Sequence, residues 1–533
     1  MGRSGLQKII FFSNLLGLAA MWIFRSSTGD EGIGYLACAF LFFELFRGLF
    51  AEGMASCAGR MMRSRFGKGQ TENALQVFRM MRIAGPAQGL VGAVFLGASV
   101  FFLFRGAAHL SRGFLLGWML SPAFFLIGVE QALQCYCEGR KAERAAAIAH
   151  VIRQASFLIF GFLFLHLMEG YGEKVSALVR VDDYVAIYAC MGVCLGYLAS
   201  HLLAVLFLLI VALLSSRSPL EGGEYIRNKE RKLPLYYGLC RQRTPMAASS
   251  VLAVLPYLPA LFLVPVMTGN TSSLLLSGRY GVYASCCLLL PMILGNILGM
   301  SVSLVREKCS FSIRREEFRY VKSLYRTGFH ISALYGIFGL TYLAALSGPI
   351  GELLLPGEGK SLQSIIICGA GAFALAAMNR WMFDTLQDFD HVPAWILSQL
   401  LGTVSFAVAC LLIAGKVKDP AQLLALSSLI SQGVMFLTMF LILTFRQGMN
   451  VDLLWAVLLP LCCGCVLGLV QMGIASLIAP HLGNGFTVAV TFFGMAFLYL
   501  CLLLVLRNLS DREIHVLPTG KYLERLGQLL HVL

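Results

Sequence analysis

The sequence predicts an all-α membrane protein with about fourteen transmembrane helices. Three observations lead there. Of 533 residues, 58% are hydrophobic and 13% are charged, about half the charge of an average soluble domain. The mean hydropathy is +0.76. Apolar runs of bilayer-spanning length recur from one end to the other, and Lys and Arg gather in alternate loops between them. No soluble core hides this much apolar surface, so the bilayer is the solvent for most of the chain.

The spans follow from apolar runs bounded by charges, Gly, Pro or Asn. The first six are Ile9–Phe24, Gly34–Gly53, Met81–Phe104, Gly113–Tyr136, Ala145–Leu167 and Tyr184–Leu214. Met1–Lys8 runs into the first without a small-residue cleavage site, so that helix is expected to stay as an anchor. The next six are Pro245–Met267, Gly281–Val305, Gly328–Leu354, Leu362–Phe383, Val392–Ala414 and Leu423–Phe445. Leu453–Ala475 and Gly485–Val505 complete the set. Pro256, Pro259 and Pro265 mark the seventh span as a bendable helix or as one with a static kink. The tail opens with Ser510-Asp511-Arg512-Glu513, the form of a capping box. Pro518 and Gly520 then break it, and Lys521–Leu533 is amphipathic, as in a helix lying on the membrane surface.

Loop charges orient the stack. The second loop carries Arg60, Arg63, Arg65 and Lys68, the fourth Arg140, Lys141 and Arg144. The sixth carries Arg227, Lys229, Arg231 and Lys232, and the eighth Arg314, Arg315, Arg319, Lys322 and Arg326. The odd loops are poorer in cations, and the tenth is acidic through Asp384, Asp388 and Asp390. The even loops and both termini are therefore expected in the cytoplasm, in the cytoplasmic membrane.

An internal repeat is visible. Gly34-Tyr35-Leu36-Ala37-Cys38 opens the second span, and Gly281-Val282-Tyr283-Ala284-Ser285-Cys286 opens the eighth the same way. The short turn near Gly139 has a counterpart near Phe389. Both offsets are about 250 residues, which points to two pseudo-symmetric six-helix lobes and two further helices. The domains expected are 1–216 and 245–447 as lobes, 217–244 as a cytoplasmic linker, 448–508 as the extra pair, and 509–533 as a cytoplasmic tail.

Other classes are excluded by what is missing. The formal net charge is +14, but no basic stripe lies on a soluble face, so nucleic acid is not the expected partner. The sixteen cysteines sit in apolar stretches without metal-ligand spacing and read as small hydrophobes. There is no Walker A, no H-E-x-x-H and no G-x-S-x-G, so neither an ATPase nor an enzyme is expected, and neither a cofactor nor a metal.

A set of motifs carries a family resemblance. Arg25-Ser26-Ser27-Thr28-Gly29-Asp30-Glu31-Gly32-Ile33-Gly34-Tyr35 resembles the start of polysaccharide-type flippases of the multidrug/oligosaccharidyl-lipid/polysaccharide (MOP) exporter superfamily. Phe66-Gly67-Lys68-Gly69-Gln70-Thr71-Glu72-Asn73-Ala74 resembles a loop of the branch that includes stage V sporulation protein B and lipid II flippases. Cys135-Tyr136-Cys137-Glu138-Gly139, Gly278-Arg279-Tyr280-Gly281 through Leu290-Pro291, and Leu517-Pro518-Thr519-Gly520-Lys521 continue the likeness in the same order. The sequence departs from the pattern at Ser303-Leu304-Val305, which lacks the usual Pro, and at Glu44 and Arg47, where the family is commonly apolar.

The resemblance implies two six-helix bundles around a central cavity. It also implies transport of an undecaprenyl-diphosphate-linked sugar from the inner to the outer leaflet by alternating access, with H+ or Na+ coupling open and a monomer expected. A cation-coupled multidrug antiporter of the same superfamily is the alternative. A membrane-embedded glycan-processing enzyme is a more distant one, since it needs carboxylates in a large outside loop and the outside loops here are short.

A diphosphate and a glycan cross hydrocarbon only along a polar path, so the ionisable groups inside the spans matter most. Glu44 and Arg47 lie on one helix face and form either a substrate-greeting pair or a structural ion pair. Arg25 snorkels at the interface or, as the resembled motif places it, faces the cavity. Arg153 and Glu130 are placed to pair across the fourth loop or to line the first lobe. Glu130 is the candidate coupling carboxylate, with a static partnership to Arg153 as the other reading. His201 reads as a hydrogen-bonded interior histidine. Arg380 and Asp384 read as a surface pair. Asn296 either binds substrate or links helices.

Overall fold

The computed structural model describes residues 3–106, 113–140, 142–216, 230–255, 257–258, 273–357, 359–389, 391–417, 419–516 and 520–529. Helices make up the fold, and no strand occurs among the described residues. Among the described residues, eleven helices are long and apolar enough to cross a membrane, and the first of these runs from Ile9 to Gly67. Large apolar side chains remain exposed along them, among them Phe102, Leu178, Leu412, Phe445 and Phe493. In water such a surface is unfavourable, and in a bilayer it faces acyl chains. The exact count of fourteen is not reproduced by that criterion, but the all-α membrane class is.

The chain forms two units, Met1–Val282 and Tyr283–Leu533. Unit 1 contains α1 (Arg3–Phe50), α2 (Met54–Gly67), α3 (Thr71–Gly106), α4 (Phe114–Gly139), α5 (Glu143–Val179), α6 (Asp183–Ser216) and α7 (Lys232–Val254). The expected loop between the first two spans is a single-residue break. Gly29 leaves the helix at φ 69°, ψ −176°, a conformation open to glycine alone. Arg25 therefore does not end a helix. The helix runs on to Thr28, whose hydroxyl donates to the Phe24 carbonyl at 2.9 Å and satisfies it beside the break.

Small residues let the unit 1 helices approach closely. A Cβ added at Gly128 on α4 would lie 2.2 Å from the Gly85 carbonyl oxygen of α3, and one at Gly85 would lie 2.4 Å from the Gly128 oxygen. Without lipid-excluding force between helices, this backbone contact is a main source of packing energy. α7 packs against α1 at that helix's C-terminal end. There the buried Arg243 guanidinium donates to the carbonyls of Leu49 and of Phe50, the latter at 2.9 Å. It satisfies two carbonyls the helix leaves open and sits at its negative pole.

Unit 2 contains α9 (Leu290–Arg314), α10 (Phe318–Ala345), α11 (Ser347–Leu354), α12 (Gly359–Asp388), α13 (Val392–Ile413), α14 (Pro420–Gln447), α15 (Leu459–Leu482), α16 (Asn484–Val505), α17 (Asp511–Val516) and α18 (Gly520–Leu529). α8 (Ser273–Tyr283) and a π-helical stretch Ala284–Leu289 lie where the units meet in sequence. α10 and α12 are the inner pair. Trp381 is buried, donates from Nε1 to the Tyr325 carbonyl at 3.1 Å, and lies over Gly328. Half of the expected capping box forms: the Glu513 carboxylate accepts from the Ser510 N–H and hydroxyl, and the Ser510 hydroxyl does not cap the Glu513 N–H. Ser510 N–H donates to Glu513 at 2.8 Å, and the Glu513 N–H returns to the Ser510 carbonyl at 2.9 Å. Buried His330 on α10 binds the same Glu513 at 2.8 Å and Asn508 at 2.9 Å, which docks the tail onto the bundle.

Asp384 is not part of a surface pair. It is buried, and Arg306 of α9 binds its Oδ2 at 3.0 Å, while the exposed Arg380 stands off at 3.5 Å. Pro256, Pro259 and Pro265 lie outside the described residues, as do Leu517–Thr519 of the resembled tail motif.

Candidate functional site

The turn between α4 and α5 occupies a few residues after Gly139, so these helices run in opposite directions, and both pack against α6. At about 1.5 Å rise per residue, positions at equal distance from the turn meet at equal height. Glu130 and Arg153 are such positions. Arg153 Nη1 donates to Glu130 Oε1 at 2.9 Å, and Glu130 is buried. The second oxygen, Oε2, accepts from His201 Nδ1 of α6 at 2.6 Å. Both carboxylate oxygens are thus engaged by donors from two other helices.

The network continues to α1. Arg153 Nη2 donates to His150 Nδ1 at 2.5 Å, and His150 Nε2 meets Asn14 Oδ1 at 2.9 Å. Because His150 Nδ1 accepts from a guanidinium, its proton sits on Nε2 and is donated to Asn14. On the far side, His201 Nδ1 donates and its Nε2 is buried without a protein partner among the described residues. The Tyr197 ring stands edge-on to His201, with centroids 4.7 Å apart, one helical turn away. The line Asn14–His150–Arg153–Glu130–His201 therefore crosses four helices of one unit.

A cavity of about 370 Å³ opens beside this line. Glu130, His150 and Arg153 form its inner end, and Gln134, Glu138, Glu143 and Arg63 line the rest. Arg63 pairs with Glu143 at 2.8 Å and donates to the Glu138 carbonyl at 3.0 Å. The cavity thus runs from the inner Glu130 pair towards the α4–α5 turn, with cations and carboxylates along its wall.

The other sequence-derived candidates lie elsewhere. Arg25 binds Asp30 through Nε at 3.0 Å and Nη2 at 2.8 Å, so it bridges the Gly29 break as a two-point clamp. It is about 10% exposed, which rules out a side chain snorkelling into water. Arg47 is held between Glu44 at 2.6 Å and Glu52 at 2.7 Å, and remains about one-third exposed. Neither set lines the cavity beside Glu130. Asn296 is on α9, and its side chain lies outside the described residues. His150, Asn14, Asp30 and Arg306 were missed by sequence reasoning. Only His150 carried a signal, its place three residues before Arg153 on one helix face. Among the described residues, no group of three His, Cys, Asp or Glu side chains is placed to hold a metal.

No protein-family model matches the chain, and no curated protein matches it by sequence. Solved structures do match in fold. An inward-facing multidrug resistance MATE transporter of the MOP superfamily aligns with TM-score 0.62 at 14% identity, over 84% of this chain and 96% of that one. The lipid II flippase MurJ in an inward closed conformation aligns with TM-score 0.61 at 14% identity, over 93% of this chain and 97% of that one. A eukaryotic MATE transporter aligns with TM-score 0.56 at 12% identity, over 83% and 93%. The chain therefore shares the fold of these MATE and MurJ structures.

Proposed function

We propose that this chain flips a lipid-diphosphate-linked oligosaccharide across the cytoplasmic membrane by alternating access. The observation that carries the reading is the extent of the fold likeness. The MurJ structure matches 93% of this chain and the MATE structures 84% or less. A multidrug antiporter of twelve helices leaves α15 and α16 without a role.

The charged groups inside the helices support the same reading. Glu44 and Glu52 hold the Arg47 guanidinium extended and partly exposed, ready to exchange a carboxylate for a phosphate, which it binds in the same two-point manner. Arg25 is similarly preformed by Asp30. In this reading Arg25, Glu44, Arg47, Arg153 and Asn296 meet the headgroup in turn. Glu130, whose two oxygens are held by Arg153 and His201, is the point at which H+ or Na+ coupling enters. The basic even-numbered loops support a cytoplasmic side for both termini.

The test is leaflet accessibility of the lipid-linked precursor in cells depleted of this protein. Precursor should accumulate out of reach of an external processing enzyme. Unchanged external accessibility on full depletion overturns the reading.

A further inference from the structure

Unit 2 holds a second cavity, of about 780 Å³, that shares no residue with the one beside Glu130. It lies between residues 319–330 of α10, residues 451–456 just before α15 and residues 507–513 after α16. Arg319, Lys322 and Arg326 line it from α10, at positions i, i+3 and i+7 of one helix face. Arg507 lines it from the opposite side, where its backbone turns into the left-handed region at φ 53°.

These four cations face two carboxylates, and both carboxylates are committed elsewhere. Glu513 is taken up by His330 and by Ser510. Asp452 accepts from the backbone N–H groups of Leu454 and Trp455 and caps that helical start. Among the described residues Arg319, Lys322 and Arg507 have no ion-pair or hydrogen-bond partner, and Arg326 uses only Nε, on the Asn450 carbonyl. Glu316 and Glu317, just before α10, are exposed and do not line the cavity.

Glu317 is the N-cap residue of α10 and Glu316 precedes it, so the acids nearest these cations in sequence stand at the helix N-terminus and outside the cavity. Guanidinium forks and an ammonium at one concave site are the donor set that takes phosphate oxygens. Trp455, about half exposed at the cavity wall, is a residue type that settles at the membrane–water interface.

We infer that this cavity binds a phosphate-bearing anion, presented as a lipid headgroup or as free phosphate. The bound anion joins α10 to the chain end after α16, so the site clamps the tail to the bundle. The inference does not rest on the transport reading.

The test uses the full chain in neutral detergent and follows the part of the fluorescence change that Trp455→Phe abolishes. Titrants are inorganic phosphate, dihexanoyl phosphatidylglycerol and, as the net-neutral lipid, dihexanoyl phosphatidylcholine. The wild type should respond saturably to the phosphatidylglycerol but not to the phosphatidylcholine if the source is an anionic lipid, and to inorganic phosphate if it is soluble. Arg319→Gln/Lys322→Gln should weaken the response at least about tenfold, because two charge-assisted hydrogen bonds are lost. Arg231→Gln/Arg241→Gln, which removes equal charge from exposed positions of unit 1, should leave it within about twofold. No saturable response to either anion, or equal losses in the two double variants, overturns the inference.

Discussion

Arg153 and Glu130 meet at 2.9 Å within the membrane-spanning part of unit 1, and the same carboxylate is bound at 2.6 Å by His201. A buried charge held in this way is expensive to leave alone. Removing one partner of a buried pair costs about 3–5 kcal/mol, because the other stays uncompensated. The pair therefore restrains α4, α5 and α6 together, and any step that loosens it loosens all three.

Glu130→Ala should lower the thermal unfolding midpoint of the detergent-solubilised protein strongly. Glu130→Ala/Arg153→Leu should recover part of that loss, since the orphaned guanidinium is gone. A double-mutant cycle should give a coupling of about 1–3 kcal/mol. Strict additivity means that the two groups do not act as a pair.

Arg47→Ala and Arg25→Ala should each abolish flipping while membrane insertion persists. Lys at either position should rescue only partly, because an ammonium cannot form the two-point contact that Arg25 makes with Asp30. Flipping rates in inverted vesicles, read beside protein abundance, check this. Full activity of both Ala variants removes the phosphate-clamp role.

Coupling can be assigned by applying one gradient at a time in proteoliposomes. If Glu130 takes the driving proton, Glu130→Gln should keep substrate binding and lose the response to a pH gradient. If the membrane potential drives the arginines instead, worth about 2.3 kcal/mol per charge per 100 mV, the variant should respond as the wild type does.

Gly128→Val should prevent the close approach of α3 and α4, because even a Cβ there lies 2.2 Å from the Gly85 carbonyl oxygen. The expected result is little folded protein after solubilisation. Gly170→Val is the control, since nothing lies within 4 Å of a Cβ at that position.

The all-α membrane class was legible because the bilayer demands long apolar runs and penalises charge within them. The sequence left the pairing of Glu130 with Arg153 open beside a place in the lining of the first lobe, and the short turn between their helices is what allowed it. The one-residue break at Gly29 was not legible, because Arg25 and Asp30 read as loop charges until their mutual pairing makes them compatible with helix on either side of that glycine. Nor was the burial of Asp384, whose partner Arg306 lies on another helix. A helix-face pattern shows neighbours on one helix and is blind to contacts across helices, which also hid the link between His201 and Glu130.

The most direct test of the central claim is flipping by the purified chain alone. Proteoliposomes carrying a labelled undecaprenyl-diphosphate-linked disaccharide would be sampled by an impermeant enzyme that modifies only the outer-leaflet sugar. The account predicts that substrate from the inner leaflet becomes accessible at a rate that scales with protein content and vanishes with Arg47→Ala. Accessibility that stays at the outer-leaflet fraction of protein-free vesicles, at every protein density and with either gradient applied, would contradict it.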